Sequence, residues 1–115
     1  MSGVVSVTVR VLYRIVHHDP PEVSDFLSNA ALGKVLRRPT PETERWWRGI
    51  STCATEQEAR IRAQQAPRLG RYIARLEVPS RALVTVEQTG SAPGHHTVWG
   101  APTLVWSFVV SVVAV

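Results

Sequence analysis

The sequence has little that would crosslink it covalently or anchor it in a membrane. Cys53 is its only cysteine, so no intramolecular disulfide can form and nothing indicates an oxidising compartment. The apolar C-terminal run Leu104–Val115 has 12 residues, whereas a membrane-spanning helix needs about 20. Met1–Val16 is also apolar, but Arg10 and Arg14 interrupt it, so it does not predict a signal peptide. We therefore expect a soluble, cytoplasmic protein with no membrane partner.

Lysine is scarce too. Lys34 is the only lysine among 13 basic residues, and the other twelve are arginine. Because the chain has 9 acidic residues, its formal net charge is +4. Arginine binds phosphate and carboxylate groups through a planar fork of N–H donors. A mildly basic, arginine-rich surface favours nucleotides, nucleic acid or acidic proteins as partners, but it carries no information about the fold.

The length and the apolar content predict one packed domain. A chain of 115 residues has the length of a single domain, so we assign residues 1–115 to one unit. Apolar residues make up 44% of the chain and charged residues 19%. This composition excludes a disordered chain, a collagen and a coiled coil.

Hydrophobic alternation and capping residues predict the elements of the first half. Valines at every second position over Val4–Val16 predict a strand, which a proline pair ends. The next segment, Pro21–Leu32, carries an apolar stripe and predicts a helix that stops at a glycine. Thr40 followed by a proline predicts the start of a second helix, which ends at Gly49.

The second half is rich in predicted strands. Ile50–Ala54 predicts a short strand, and the capping box that begins at Thr55 predicts a helix to about Ala66. The later elements are predicted strands at Tyr72–Val78, Leu83–Gln88, His96–Trp99 and Phe108–Val115, with a helical turn at Pro102–Trp106. The unbroken apolar run of the last strand predicts burial on both faces. Since helices come early and strands late, the order predicts an α+β fold rather than alternating βαβ units.

Three segments of the chain form a recognisable series. Leu12–Val16 places Arg14 on the first strand, and Gly49–Ala59 leads from a short hydroxyl-bearing strand into a capped helix. His95–Pro102 then combines a histidine pair, Trp-Gly-x-Pro and a following core strand. Together these segments resemble the ADP-ribosyltransferase-like fold. That superfamily includes mono-ADP-ribosyltransferase toxins, poly(ADP-ribose) polymerases, RNA 2′-phosphotransferases and RES-type toxins that degrade NAD.

The resemblance implies a fold, a cofactor and a set of site residues. The implied fold is a split, mostly antiparallel sheet of about six strands with three helices. The implied function is the binding of NAD or a related nucleotide by a transferase or a toxin component. The implied catalytic residues are Arg14, Ser51, Thr52 and His96, and the implied nucleotide-binding residues are Arg14, Tyr13, His95 and Trp99.

The chemistry of these residue types agrees with that assignment. The guanidinium of Arg14 offers a bidentate fork to a pyrophosphate. A hydroxyl at Ser51 or Thr52 can orient a ribose or an amide, and a histidine titrating near neutral pH can transfer a proton. All of these groups have to converge on one cleft for the assignment to hold.

One departure from the family pattern leaves catalysis open. Many transferases of this fold carry a glutamate on the late strand, where this chain has His95 and His96. Glu87, one strand earlier, is the nearest acidic residue. A domain that binds a nucleotide without turning it over is therefore an equal alternative to an active enzyme.

A second hypothesis belongs to another functional class. The basic stretch Lys34–Arg38 and the adjacent Trp46 and Trp47 also suit a small, non-enzymatic binding domain for nucleic acid or a protein. Successive helix residues diverge by about 100°, so one of the two indoles is expected at the surface. The histidine pairs and Cys53 are zinc-ligand types, but adjacent histidines seldom share one ion. We therefore predict no metal site.

Overall fold

A six-stranded antiparallel sheet organises the fold in a computed structural model, which describes residues 8–115. The strands are β1 (Val9–Val16), β2 (Ile50–Cys53), β3 (Tyr72–Pro79), β4 (Thr85–Gln88), β5 (His95–Trp99) and β6 (Val109–Ala114). The helices are α1 (Pro41–Trp47), α2 (Glu56–Gln65) and α3 (Pro102–Trp106), with short 3-10 turns at Val23–Phe26 and Pro67–Leu69. The α+β class and the numbers of strands and helices are confirmed, although α3 is the predicted helical turn and not the helix predicted over Pro21–Leu32.

The sheet has the order β4-β5-β2-β1-β3-β6, and its two central strands are barely joined. Strand β1 pairs with β3 along its whole length, from Val9↔Pro79 to Val16↔Tyr72. It pairs with β2 only at Tyr13↔Cys53. We predicted a split sheet. The structure has one open sheet instead, whose halves meet at this single residue pair, which we call the β1–β2 junction.

Apolar side chains cover both faces of the sheet near β1 and β3. On one face, Leu12, Leu76 and Val98 are buried together with Phe26 of the first 3-10 turn and Val105 of α3. On the other face, α2 packs close to the sheet through small residues. Ala59 and Ala63 are both buried there, and Ala59 packs with Ile73 of β3. These two clusters fix β1 and therefore fix the position of the junction.

Local capping explains why α1 and α2 form where the sequence predicted them. Thr40 and Thr43 exchange hydrogen bonds reciprocally at the start of α1, the backbone N–H of each donating to the hydroxyl of the other. The hydroxyl of Thr55 accepts from the backbone N–H of Glu58 at the start of α2. Gly49 then lets α1 pass directly into β2, because a Cβ there would lie 2.4 Å from the side chain of Thr97.

The predicted helix over Pro21–Leu32 is wrong. Only Val23–Phe26 is helical, as one 3-10 turn, and bends and turns follow it. The backbone becomes extended at Leu27, which ends the turn, and serine and aspartate side chains bond to backbone N–H groups on either side of it. Ser28 accepts from the backbone N–H of Ala31, and Asp25 accepts from that of Glu22.

The burial predicted for the last strand is also wrong. Within residues 8–115, strand β6 lies at the sheet edge and pairs only with β3, and Val110 is 53% exposed. The predicted strand Leu83–Gln88 begins later, at Thr85, and leaves Leu83 exposed. Residues 4–7 of the predicted first strand lie outside the described part of the chain.

Candidate functional site: a basic cavity at the β1–β2 junction

A cavity of about 570 Å³ lies where β1 and β2 part. Its walls come from these two strands and β5, from both 3-10 turns and the loop after the first, from helix α1, and from Arg62 of α2. This volume is within the usual range of small-molecule and cofactor sites. Five of the seven predicted site residues line the cavity: Tyr13, Arg14, Ser51, Thr52 and His95. The other two, His96 and Trp99, are not among its lining residues in the described part of the chain.

Arg14 fills the opening between the two strands. Its Nη1 donates to the carbonyl oxygen of Ser51 and its Nε to that of Asp25, each at 2.8 Å. The guanidinium thereby supplies a donor to a β2 carbonyl at a point where β1 no longer pairs through its backbone. A guanidinium has five N–H groups. Three of them have no partner among residues 8–115 and are available to a ligand in the cavity.

Arg14 keeps its charge in this setting. Burial, partly offset by the nearby carboxylate of Asp25 and reinforced by the charge of Arg62, lowers the pKa of its guanidinium to about 10. Since about 10 is well above neutral pH, the side chain stays cationic. A desolvated cation with free N–H donors is a strong anchor for an anionic group.

The side chain of Asp25 holds its own loop in place, and the backbone carbonyl oxygen of the same residue accepts from Arg14. Its buried carboxylate accepts from the backbone N–H of His17 at 2.8 Å and of Glu22 at 2.9 Å, and lies 3.0 Å from Nδ1 of His18. Burial alone would raise the pKa of this carboxyl, but these hydrogen bonds outweigh it and hold the pKa below its ordinary value. The hydrogen bond that His18 makes to the Asp25 carboxylate in turn raises the pKa of His18.

The cavity is electropositive. Four cationic side chains line it: Arg14, Lys34, Arg62 and Arg68. Within the described residues, Asp25 is the only carboxylate of the lining, and its two oxygens already accept the hydrogen bonds above. The cavity therefore favours a ligand that carries negative charge.

The two candidate hydroxyls differ in what they already bind. The hydroxyl of Thr52 is buried and donates to the carbonyl oxygen of His96 at 2.9 Å, which ties β2 to β5. The hydroxyl of Ser51 has no hydrogen-bond partner among the described residues, and its side chain is only half-buried. Ser51 is therefore the hydroxyl that is free to orient a ligand.

The two candidate histidines point to opposite faces of β5, as successive strand residues must. His95 lines the cavity, and its Nδ1 lies 3.1 Å from the carbonyl oxygen of Thr89 and 3.0 Å from that residue's hydroxyl. Burial lowers the pKa of His95, and the charge of Arg62 adds to the effect. Nδ1 of His96 lies 3.0 Å from the carbonyl oxygen of Gly94 instead. His95, not His96, is therefore the histidine positioned to act on a ligand here.

Aromatic side chains form much of the remaining wall. Tyr13, Trp46 and Trp47 all line the cavity and are half-buried. Trp99 instead fastens β5 to α1, because its indole N–H donates to the carbonyl oxygen of Arg45 at 2.9 Å. The guanidinium of Arg45 also lies over the Trp99 ring, 4.2 Å from its centroid. Trp99 is thus part of the scaffold.

Sequence reasoning did not single out Asp25, Arg62 or Arg68 as site residues. Asp25 and Arg62 each lay inside a predicted helix, and Arg68 lies in the turn that follows the second of these helices. The one available signal was the high arginine content of the chain, which does not show which arginines line a site. Their convergence depends on how α2 and the first 3-10 turn pack against the junction.

The remaining candidate features have structural explanations. Cys53 is buried, and burial raises the pKa of its thiol. Within residues 8–115, no three His, Cys, Asp or Glu side chains lie together where they could hold a metal ion. Within the same residues, no helix has the length and apolar character needed to cross a bilayer.

Comparison of the chain with protein-family models, with curated proteins and with solved structures gives no match.

Proposed function

We propose that the chain is an ADP-ribosyltransferase-like domain that binds NAD or a related nucleotide in the cavity at the β1–β2 junction. The observation that carries the proposal is the convergence of Arg14, Ser51 and His95 in one cavity. These residues come from three different strands and were selected by a resemblance alone. Their meeting at one opening is the condition that such a site requires.

The charges support a phosphate-bearing ligand. Arg14 presents its unpaired N–H groups, and Lys34, Arg62 and Arg68 add three cations around the same space. Asp25 is the one carboxylate in the described lining, so positive charge stays in excess, and both of its oxygens already accept hydrogen bonds from the protein. The pyrophosphate of a dinucleotide has the charge that such a set of donors stabilises.

The other walls support the rest of a nucleotide. Tyr13 and Trp46 provide flat aromatic surface for a heterocyclic ring, and the free Ser51 hydroxyl can bind a ribose hydroxyl or a carboxamide. In a transferase step, the bond between nicotinamide and ribose breaks and a bond from ribose to the acceptor forms. Nε2 of His95, with Nδ1 donating to the Thr89 carbonyl oxygen, would accept the acceptor's proton.

Calorimetric titration with NAD tests this proposal on a matched pair of variants. Arg68 and Arg71 are both exposed arginines of one short segment, but only Arg68 lines the cavity. We expect Arg68→Gln to weaken NAD binding about tenfold, the value of one charge-assisted hydrogen bond. Ser51→Ala should weaken it by a smaller factor, and Arg71→Gln should bind as the wild type does.

Two results would contradict the proposal: no heat at millimolar NAD, or equal losses in Arg68→Gln and Arg71→Gln. Release of nicotinamide in the same samples tests the transferase step separately. His95→Gln is expected to keep NAD binding and to stop the release. If the wild type binds NAD without releasing nicotinamide, the domain binds the nucleotide without catalysis.

A further inference from the structure

A second, shallower cavity of about 270 Å³ lies beside the first. The two share Lys34, Leu36 and Trp47, so the indole of Trp47 stands in the wall between them. The Trp47 N–H donates to the carbonyl oxygen of Lys34 at 2.8 Å, which holds the ring in this place. We call this second space the outer cavity. A group bound there lies directly next to a ligand in the junction cavity.

The outer cavity combines flat apolar walls with charge at its rim. Trp47, Leu36 and Pro39 give it apolar surface, and Lys34 and Arg48 give it two cations. Glu44 is the one carboxylate among its described lining residues. An indole between short apolar side chains suits a planar ring, and the cations suit an anion attached to that ring.

The rim extends into an unpaired basic segment. Arg37 and Arg38 follow Lys34 along the connector to α1, and all three are exposed. None of these three residues, nor Arg48, takes part in the ion pairs found within residues 8–115. By contrast, Arg45, Arg60 and Arg75 each have a glutamate partner. Unneutralised, exposed cations around an aromatic wall are typical of single-stranded nucleic-acid sites.

We propose that the outer cavity and its basic rim bind single-stranded nucleic acid, with one base on Trp47 and the phosphates on Lys34, Arg37, Arg38 and Arg48. The inference rests on the proposed function for one point only: the bound strand would be the acceptor in the transferase step, next to the NAD. A duplex does not suit this site, because its bases are stacked inside and cannot reach the indole. An acidic peptide would use the cations but not the flat apolar walls.

The test measures the affinity of the full chain for a short fluorescein-labelled oligothymidylate by anisotropy, across about 50 to 200 mM salt. The key variant is Arg37→Gln/Arg38→Gln. Its matched control is Arg71→Gln/Arg81→Gln, which removes the same charge from exposed positions outside both cavities. All four side chains are exposed and have no hydrogen-bond partner among the described residues, so both variants should fold.

Loss of two phosphate contacts should make the slope of log affinity against log salt shallower by about 1.4. It should also weaken binding at least about tenfold at the lowest salt. The control variant should keep a salt slope closer to that of the wild type than the key variant does. Trp47→Leu should weaken binding and leave the salt slope unchanged, because it removes stacking but no charge.

Three results would overturn the inference: no binding of the oligothymidylate at low salt, equal effects in the key and control variants, or equal affinity for a duplex. Displacement of the strand by poly-glutamate at equal charge concentration would instead assign the rim to an acidic protein. Calorimetry with NAD separates this inference from the proposed function. If Arg37→Gln/Arg38→Gln binds NAD normally but the wild type binds no oligothymidylate, only the inference fails. If the wild type binds the oligothymidylate but not NAD, only the nucleotide proposal fails.

Discussion

Strand β1 pairs with β3 over eight residues and with β2 at a single residue pair. Along the β3 edge, backbone hydrogen bonds and apolar side chains close the structure, with Leu76 on one face and Ile73 on the other. Along the β2 edge, a charged side chain takes the place of the backbone ladder and a cavity begins. One strand therefore has an edge that stabilises the fold and an edge that is open to a ligand.

The contrast shows how a small domain accommodates a binding site. A chain of 115 residues has only one modest core, so an opening in its sheet must be stabilised by polar contacts. Arg14 and Asp25 supply these contacts, since the guanidinium bonds to Ser51 and Asp25 and the Asp25 carboxylate fixes the adjoining loop. Arg14, together with Lys34, Arg62 and Arg68, also gives the opening its positive charge.

The largest expected effect lies on the closed edge. Leu76 is fully buried in the main core, and Leu76→Ala removes its side chain and leaves a cavity. We expect a loss of about 2–5 kcal/mol in the free energy of unfolding, measured by chemical denaturation. A loss below about 1 kcal/mol would mean that the β1–β3 side is not the main source of stability.

A smaller effect on stability and a larger one on binding are expected at the open edge. Arg14→Met keeps the length of the side chain but leaves two backbone carbonyls without their donor. The expected cost is about 1–3 kcal/mol in the same denaturation experiment, with loss of NAD binding. Arg14→Lys keeps the charge without the fork, so it should recover part of the stability and little of the binding. Equal behaviour of the two variants would contradict the role given to the fork.

The smallest expected effect concerns the dependence of stability on pH. The pKa of Asp25 is lower in the folded state, so its carboxylate contributes stability that is present above its ordinary pKa of 3.8 and is lost as the pH falls through the folded pKa. The pKa of His18 is raised, so its contribution is present below 6.5 and is lost as the pH rises through the folded value.

Melting temperatures of wild type and Asp25→Asn, compared from about pH 5 to pH 2, isolate the acidic part of this behaviour. The wild type should be the more stable protein at the upper end of this range, and the difference should shrink as the pH falls. A difference that stays constant over the whole range would show that the Asp25 carboxyl is not responsible.

What could be predicted from the sequence was mainly local. The caps at Thr40 and Thr55 determine where α1 and α2 begin, because each bond joins residues three apart. The class of fold followed from the order of such elements. The helix predicted at Pro21–Leu32 failed because the Asp25 side chain bonds to the backbone of both Glu22 and His17, which helical periodicity does not reveal.

The site was predictable only in part, for a related reason. Arg14 and Ser51 are 37 residues apart, and nothing in the spacing shows that a guanidinium would join them. The resemblance selected both residues, but it assigned catalysis to His96, whereas His95 is the histidine that lines the cavity. Which of the two faces the cavity depends on the register of β5 with β2. The edge position of β6 likewise depends on the order of strands in the sheet rather than on its own apolar sequence.

The most direct test of the account follows the backbone amides by ¹⁵N–¹H NMR while NAD is added. The account predicts that the largest shifts fall around the β1–β2 junction, at Arg14 of β1, Ser51 and Cys53 of β2, and His95 of β5. Amides of the closed edge, such as those of Ala74 and Val112, should stay in place. Shifts concentrated on β3 and β6, or no shifts at millimolar NAD, would contradict the claim that the β1–β2 junction is the binding site.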